Sequence, residues 1–420
     1  MIQVFNASWA LFLGMFMLMI GNGLQGTLLG LRGELEGFST FELSVVMSAY
    51  FVGFLFSSRT TPLLIQRVGH VRVFAALGST VSAVLILYPV LTEPWAWTIG
   101  RVIIGFCFCG VYITAESWLN DASSNETRGK ALSIYLMVQM AGIVAAQYII
   151  TQGDVSGFVL FIIPSVFVSL AFAPILLSIR PTPAFEQAKS MTMRELVSAS
   201  PLACVGMFLL GGIFSAQFGM GAVYGTQAGL SVSQVSLFVS VIYIAALVAQ
   251  WPIGWLSDRI DRRILIILTT LVGGLGGLIA FIWTGNFAII LVSAALVGGT
   301  SNPLYALLIA YANDYLEKED MAAAAGGLLL INGVGAIAGP LIVGWMMETI
   351  GAEGFWLFTA SLMLGVAGYA AWRMIQRPRG ELDLEAVSYV PVSAATTQVA
   401  AEIAQEVYIE TEEEEAQANA

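Results

Sequence analysis

The sequence predicts an all-α integral membrane protein of twelve transmembrane helices arranged as two pseudo-symmetric bundles of six. Three observations carry this. Of 420 residues, 58% are hydrophobic and only 11% charged, against about a quarter charged in a soluble globular domain. Nearly all of the length is spent on apolar stretches of roughly 20 residues, enough to cross a ~30 Å hydrocarbon layer as helix. The chain also repeats itself at a shift of 192 or 193 residues. Polar and apolar residues do not alternate strongly, which argues against an outer-membrane barrel. In lipid the backbone must satisfy its own hydrogen bonds, which leaves helices.

The apolar segments run near 8–31, 41–61, 71–91, 96–119, 131–150, 157–178, 202–228, 235–256, 264–284, 287–311, 322–348 and 355–376. The first lacks a positive leader and a small-residue cleavage site, so it is expected to be a retained span rather than a signal peptide. The Asn6-Ala7-Ser8 sequon at its start is read as chance. Positive residues then mark alternate loops. Arg59, Arg67 and Arg72 follow the second segment, Arg128 and Lys130 the fourth, and Arg180, Lys189 and Arg194 the sixth. Arg259, Arg262 and Arg263 follow the eighth, Lys318 the tenth, and Arg373, Arg377 and Arg379 end the twelfth. The intervening loops hold only Arg32. By the positive-inside rule the marked loops and both termini are cytoplasmic, as expected in a bacterial-type inner (plasma) membrane.

The domains expected are a six-helix bundle over 1–179, a cytoplasmic central loop over 180–201, a second bundle over 202–378, and a tail over 379–420. Residues 381–420 hold ten acids and no Lys or Arg, and supply nearly all of the net charge of −11. So polar a tail is expected to be solvated and largely disordered in the cytoplasm, with a docking role as the alternative. The halves match in detail. Gly37-Phe38-Ser39 with Ser44 and Ser48 recurs as Gly229-Leu230-Ser231 with Ser236 and Ser240. Tyr112 with Asn120-Asp121 recurs as Tyr305 with Asn313-Asp314, and Gly105 and Gly142 recur as Gly298 and Gly335. A near-constant shift through four regions implies a duplicated unit, and two such halves usually enclose a site between them.

Several functions find no support. There is no basic patch with interleaved aromatics for nucleic acid and no phosphate-binding Gly-x4-Gly-Lys-Ser/Thr loop. One His and three cysteines (Cys107, Cys109, Cys204), all in apolar runs, make a metal site improbable. No catalytic set is visible, so an enzyme is not expected, and neither is a cofactor.

These features resemble the major facilitator superfamily over residues 1–378. The family's loop motif, Gly-x-Leu-x-Asp-Arg-x-Gly-x-Arg, stands between the eighth and ninth segments as Gly254-Trp255-Leu256-Ser257-Asp258-Arg259-Ile260-Asp261-Arg262-Arg263, with Asp261 in place of Gly. The copy after the second segment is degraded to Arg67, Gly69 and Arg72, with Pro62 and Gln66 replacing Gly and Asp. Arg101 and Gly105 match the family's span-4 motif, while the Gly-Pro motif of span 5 in drug antiporters is absent. Leu29-Gly30-Leu31-Arg32 and Glu116-Ser117-Trp118-Leu119-Asn120 look most like the YcaD-like branch. The resemblance implies that Arg67, Gly69, Gly254, Asp258, Arg259, Arg262 and Arg263 form a conformational latch; simple positive-inside charge is the alternative.

Charge inside hydrocarbon costs at least ~2.5–3.5 kcal/mol, which singles out Arg32, Arg101 and Glu116. Arg101, Gly105, Phe108, Tyr112 and Glu116 advance by three or four residues and share one helix face, which is expected to line the cavity, with Tyr112 a candidate substrate contact. Arg101 is a candidate to bind an anionic group of the substrate or to control a nearby proton; a snorkelling or backbone-capping Arg is the alternative. Glu116, about 22 Å away by helical rise, is a candidate proton carrier or a partner for Arg128. Arg32, with Gln25 two turns below it, is a candidate anion site, or balances Glu34 and Glu36. Among neutral polar groups on spans (Asn22, Gln139, Gln217, Tyr224, Tyr243, Asn302, Tyr305 and Asn332), Gln139 and Asn332 occupy matching repeat positions, as do Gln25 and Gln217. Substrate contact and interhelical bonding compete for each.

The function expected is secondary active transport of a small organic solute by alternating access, with an organic anion favoured by the two arginines and protons as the coupling ion, as in a symporter. Drug or amphiphile efflux is the alternative within transport; a non-transporting receptor or assembly factor is the alternative outside it. The partners expected are a small-molecule substrate, the lipid bilayer and protons, with no nucleic acid, and the chain is expected to be a monomer.

Overall fold

The computed structural model describes residues 2–121, 123, 125–178, 191–283, 285–376, 390–392 and 397–419. Among them the chain is helical throughout, with no strand. The first half comprises α1 (Ile2–Leu35), α2 (Thr40–Val68), α3 (His70–Leu87), α4 (Pro94–Asp121), α5 (Asn125–Ile150) and α6 (Val159–Ser178). A short α7 (Met193–Ala199) precedes the second half. There α8 (Pro201–Ser215) runs through a π-helical turn (Ala216–Met220) into α9 (Gly221–Gln227), making one span. It continues with α10 (Val232–Ser257), α11 (Arg262–Ile282), α12 (Phe287–Asn313), α13 (Lys318–Ile350) and α14 (Gly354–Gln376). Among the described residues eleven spans are long and apolar enough to cross a membrane, and the apolar part of α6 is shorter. Twelve crossings place both termini at one end. Of the central loop expected over 180–201, residues 180–190 lie outside the described residues, and α7 falls in the remainder.

The repeat has a physical meaning. Gly37 and Gly229 take φ of 81° and 73°, a region open to glycine at little cost. Each is followed by a serine, Ser39 or Ser231, that caps the next helix in a capping box with Glu42 or Gln234. Gly105 and Gly298 let paired helices touch. A Cβ on Gly105 would stand 1.9 Å from the Tyr50 carbonyl of α2, and one on Gly298 would stand 2.5 Å from the Ile242 carbonyl of α10. Helix neighbours repeat as well: α2 on α4, α1 on α5 and α6, and α3 on α4 and α6 in one bundle match α10 on α12, α8 on α13 and α14, and α11 on α12 and α14 in the other.

The bundles meet through α2 with α13, α5 with α10, and α1 with α9. They are tied at the end away from the termini. There Gln227 donates to Thr40, the Phe41 amide donates to Glu348 at 3.0 Å, and Ser48 donates to the Ile337 carbonyl at 2.6 Å.

Within the tail expected to be disordered, residues 398–419 form α15 (Gln398–Asn419), packed on α4, α5 and α13. Val399, Ala400, Ala401, Ile403, Ala404 and Gln405 are all buried. Their i, i+1, i+4 spacing makes an apolar stripe in a segment rich in Ala, Glu and Gln, strong helix formers. Averaging over forty residues hides that stripe behind the terminal glutamates.

Candidate functional site

A cavity of about 60 Å³ lies between the bundles. The first bundle lines it with Met19 and Asn22 of α1, Tyr50, Phe51 and Phe54 of α2, Tyr112 of α4 and Gln139 of α5. The second contributes Phe214 and Phe218 around the π-helical turn, Tyr243 of α10, Asn302 of α12 and Asn332 of α13. Aromatic rings meet across the bundle boundary: Tyr50 lies 5.6 Å and Phe51 6.2 Å from Phe218, which stacks on Phe214. A water needs about 10–15 Å³ of such space, so this volume admits a few waters and is too small for an organic solute until the bundles move.

Leu136, Met140 and Asn302 also line a second cavity of about 430 Å³ at the termini-bearing end, between α5 and α10. Its wall includes Gln250, Gly254, Asp258 and the tail residues Pro391 and Val392. The central cavity therefore adjoins one that lies toward the termini-bearing end, while hydrogen bonds tie the bundles together at the other.

Behind the central wall runs a hydrogen-bonded chain. Arg101 donates to Gln25 Oε1 at 2.7 Å, Gln25 donates to Asn22 Oδ1 at 3.0 Å, and Asn22 donates to the Tyr112 hydroxyl at 2.8 Å. The Arg101 guanidinium is fully buried, with Cζ 4.6 Å from the centre of the Tyr50 ring and Nη2 3.7 Å from Met47 Sδ. Its Nε has no hydrogen-bond partner, and among the described residues no carboxylate pairs with it. Arg101 and Gln25 thus sit one layer behind Tyr50 and Asn22, which face the cavity.

Of the other candidates, Tyr112, Gln139 and Asn332 line the cavity, as do Asn22, Tyr243 and Asn302. Asn332 also donates to the Met207 carbonyl at 3.0 Å. Gln217 is taken up by Ser301 at 3.0 Å, and Tyr305 is buried with an unpartnered hydroxyl away from the cavity. Arg32 does not join Gln25. It pairs with Glu36 at 2.6 Å and donates to the Val155 and Ser156 carbonyls at the end away from the termini, so it closes a loop there. Glu116 is buried off the cavity and does not take Arg128. It accepts from the Tyr135 hydroxyl at 3.1 Å, from the Thr397 hydroxyl and from the Ala400 amide at 3.3 Å.

The expected latch divides. Arg262 pairs with Asp314 at the end of α12 and donates to the Ala310 carbonyl, tying α11 to α12 within one bundle. Burial pushes Asp314 up to about 6, against the opposing pull of Arg262. Asp261, where the resemblance expects Gly, caps α11 by accepting from the Arg263 amide and pairs with the Arg263 side chain at 2.8 Å. Arg259 stacks on Trp255 at 4.1 Å, and Gly254 and Asp258 face the second cavity. Arg67 is exposed, and Gly69 turns the chain into α3 with φ of 85°. Sequence reasoning missed Tyr50, Phe51, Phe54, Phe214 and Phe218. The pairs Tyr50/Phe54 and Phe214/Phe218 do share faces at i, i+4, but apolar residues surround them on every side. Asp314 was visible only as part of the repeat.

A family model described as Major Facilitator Superfamily matches residues 11–231 and 202–400. The uncharacterized MFS-type transporter YcaD of Salmonella arizonae is 24% identical over 353 residues, covering 83% of this chain and 91% of that protein. A variant of the nucleoside transporter NupG superposes with a TM-score of 0.76 at 14% identity, covering 87% of this chain and 99% of that one. A bacterial homolog of the human lysosomal transporter Spinster, inward-facing and occupied, gives 0.71 at 14% identity over 87% and 95% of the two chains.

Proposed function

The chain belongs to the Major Facilitator Superfamily and is a multi-pass membrane transporter, and from that premise we propose that it is a secondary transporter carrying a small organic anion with an aromatic or apolar body through the central cavity by alternating access. The observation that carries the reading is the wall itself. Both bundles contribute rings and neutral amides to one cavity, and a fully buried guanidinium without a carboxylate stands one side chain behind it. Rings and amides suit an organic body with a few hydrogen-bonding groups. A buried charge is costly unless paired, and a carboxylate or similar group reaching past Tyr50 and Asn22 supplies the pair. The arginine-marked loops support a cytoplasmic placement of the termini-bearing end, which makes the cavity inward-facing here. Glu116, a carboxyl buried within α4 with neutral partners, is the proposed proton site.

The aromatic wall favours one second reading, efflux of cationic or neutral amphiphiles. A thermal-shift screen of the purified chain against aromatic organic acids, nucleosides, sugars and cationic dyes separates them, because a ligand of the folded state stabilises it by mass action, about 2.7 kcal/mol at a hundred times its Kd. Acids are expected to raise the Tm of the parent and not of Arg101→Ala, and proteoliposomes should then take up the same acid. Stabilisation by dyes alone, unchanged in Arg101→Ala, replaces the anion reading with efflux. Acid uptake that ignores an imposed pH gradient removes the proton from the scheme.

A further inference from the structure

Residues 390–392 and 397–407 have no place in the transport reading, yet they stand at the cavity that adjoins the central one on its way to the end of the bundle. Pro391 and Val392 stand in the wall of the second cavity. The start of α15 then lies across both bundles. In the first, Glu116 of α4 accepts from Thr397 and from the Ala400 amide, and Arg128 of α5 pairs with Glu406 at 2.7 Å. In the second, Asn313 of α12 donates to Gln405 Oε1 at 2.7 Å, and Gln398 packs on Gly326 of α13. Between these ties Ala400, Ala401, Ile403 and Ala404 bury their side chains.

We propose that residues 397–407, with Pro391 and Val392 beside them, are a reversible plug: the mouth between α4, α5, α12 and α13 is a binding site for the chain's own C-terminal helix, and that helix must leave it for solute to pass. The role as a plug rests on the transport reading; the occupancy of the site does not. Alternating access closes this end when the other opens, and a helix tied to both bundles prevents that closure. Seated, the plug therefore both obstructs the path and holds the inward-facing state.

Glu116 gives the seat its chemistry. Thr397 precedes the first turn of α15, and Ala400 carries one of the amides that a helix start leaves without an intrahelical partner. A carboxylate from α4 accepts from both, as a capping side chain does, with the helix dipole in its favour. The carboxyl proposed to carry a proton is thus the one that seats the plug, which makes release of the tail and loading of that carboxyl competing events.

The test uses the full chain and no solute. Asn313→Cys with Gln405→Cys is oxidised in membranes and digested. An intramolecular link between the two peptides is expected in most chains, with none in either single variant. Separately, Asn313→Cys is labelled in inside-out vesicles with a membrane-impermeant maleimide, the parent chain setting the background from its three buried cysteines. Labelling is expected to be slow, and at least tenfold faster when Ala400→Glu and Ala404→Glu are added. Arg128→Glu loosens the same seat without entering the apolar contact and should shift the rate in the same direction. A link no more abundant than in the single variants, or a labelling rate unmoved by both sets of changes, overturns the plug and leaves the transport reading untouched.

Discussion

Arg101 separates a working residue from a structural one because its two roles predict opposite effects on stability. Its guanidinium has lost water, gained one neutral acceptor in Gln25, a sulfur and the Tyr50 face, and leaves Nε without a partner. Such an arrangement costs folding energy that a binding site can tolerate. Arg101→Met, similar in length and uncharged, is therefore expected to keep or raise the Tm of the ligand-free protein while weakening acid binding at least tenfold, about 1.4 kcal/mol. A lower Tm with binding intact makes Arg101 interhelical glue. Arg101→Lys keeps the charge but loses the planar fork and the stack, so it should restore binding only in part. Gly105 acts on the same spot through the backbone. An alanine there meets the Tyr50 carbonyl, must push α2 from α4, and is expected to cost about 1–3 kcal/mol while displacing the ring that lies on Arg101; a Gly105→Ala chain with unchanged Tm and acid affinity refutes this. The face Arg101–Tyr112–Glu116 was legible because charged and phenolic groups spaced by three or four residues stand out in an apolar helix. Their partners were not, since Gln25, Met47 and Tyr50 arrive from other helices. Sequence reasoning paired Gln25 with Arg32, its neighbour on one helix, and the fold paired it with Arg101.

Among whole elements, those built on local rules could be read and those built on partners could not. The entries to α2 and α10 announce themselves as glycine, then serine, then Glu or Gln three residues on, and both are capping boxes in the structure. The helix α15 announces nothing, because its stripe is short and gains stability only from the mouth it fills. Its docking should depend on pH through Glu402, which burial pushes up to about 7, with Gln398 bonding it and Glu406 adjoining it. Arg128 of α5 is engaged by Glu406, and Glu116 of α4 meets the helix at its start. A docked value above the ordinary glutamate range means that seating the tail takes up a proton. Seating is then strongest below that ordinary range and weakens as pH rises through about 7. The labelling rate of Asn313→Cys, taken relative to the same cysteine with Glu402→Gln, should climb between pH 6 and about 8. A flat ratio removes Glu402 from the control of docking.

At the scale of the molecule the duplication, the even number of spans and the family were all legible, since they rest on patterns that run through the whole sequence. The state of the transporter was not, because it depends on contacts between halves that share no local signal. The structure closes the end away from the termini with Thr40–Gln227, Phe41–Glu348 and Ser48–Ile337, each linking one bundle to the other. Opening that end must break all of them together, so none can be permanent in a working carrier. Thr40→Cys with Gln227→Cys should link on oxidation in the state seen here, since the native side chains already touch. The link should stop exchange of a stabilising acid across proteoliposome membranes, and a reductant should restore it. Binding of the acid from the termini-bearing side should survive the link, because that is the side on which the second cavity adjoins the central one. Exchange that continues at the parent rate with the link in place means that the bundles do not separate at this end during transport, and the rocking scheme fails with it.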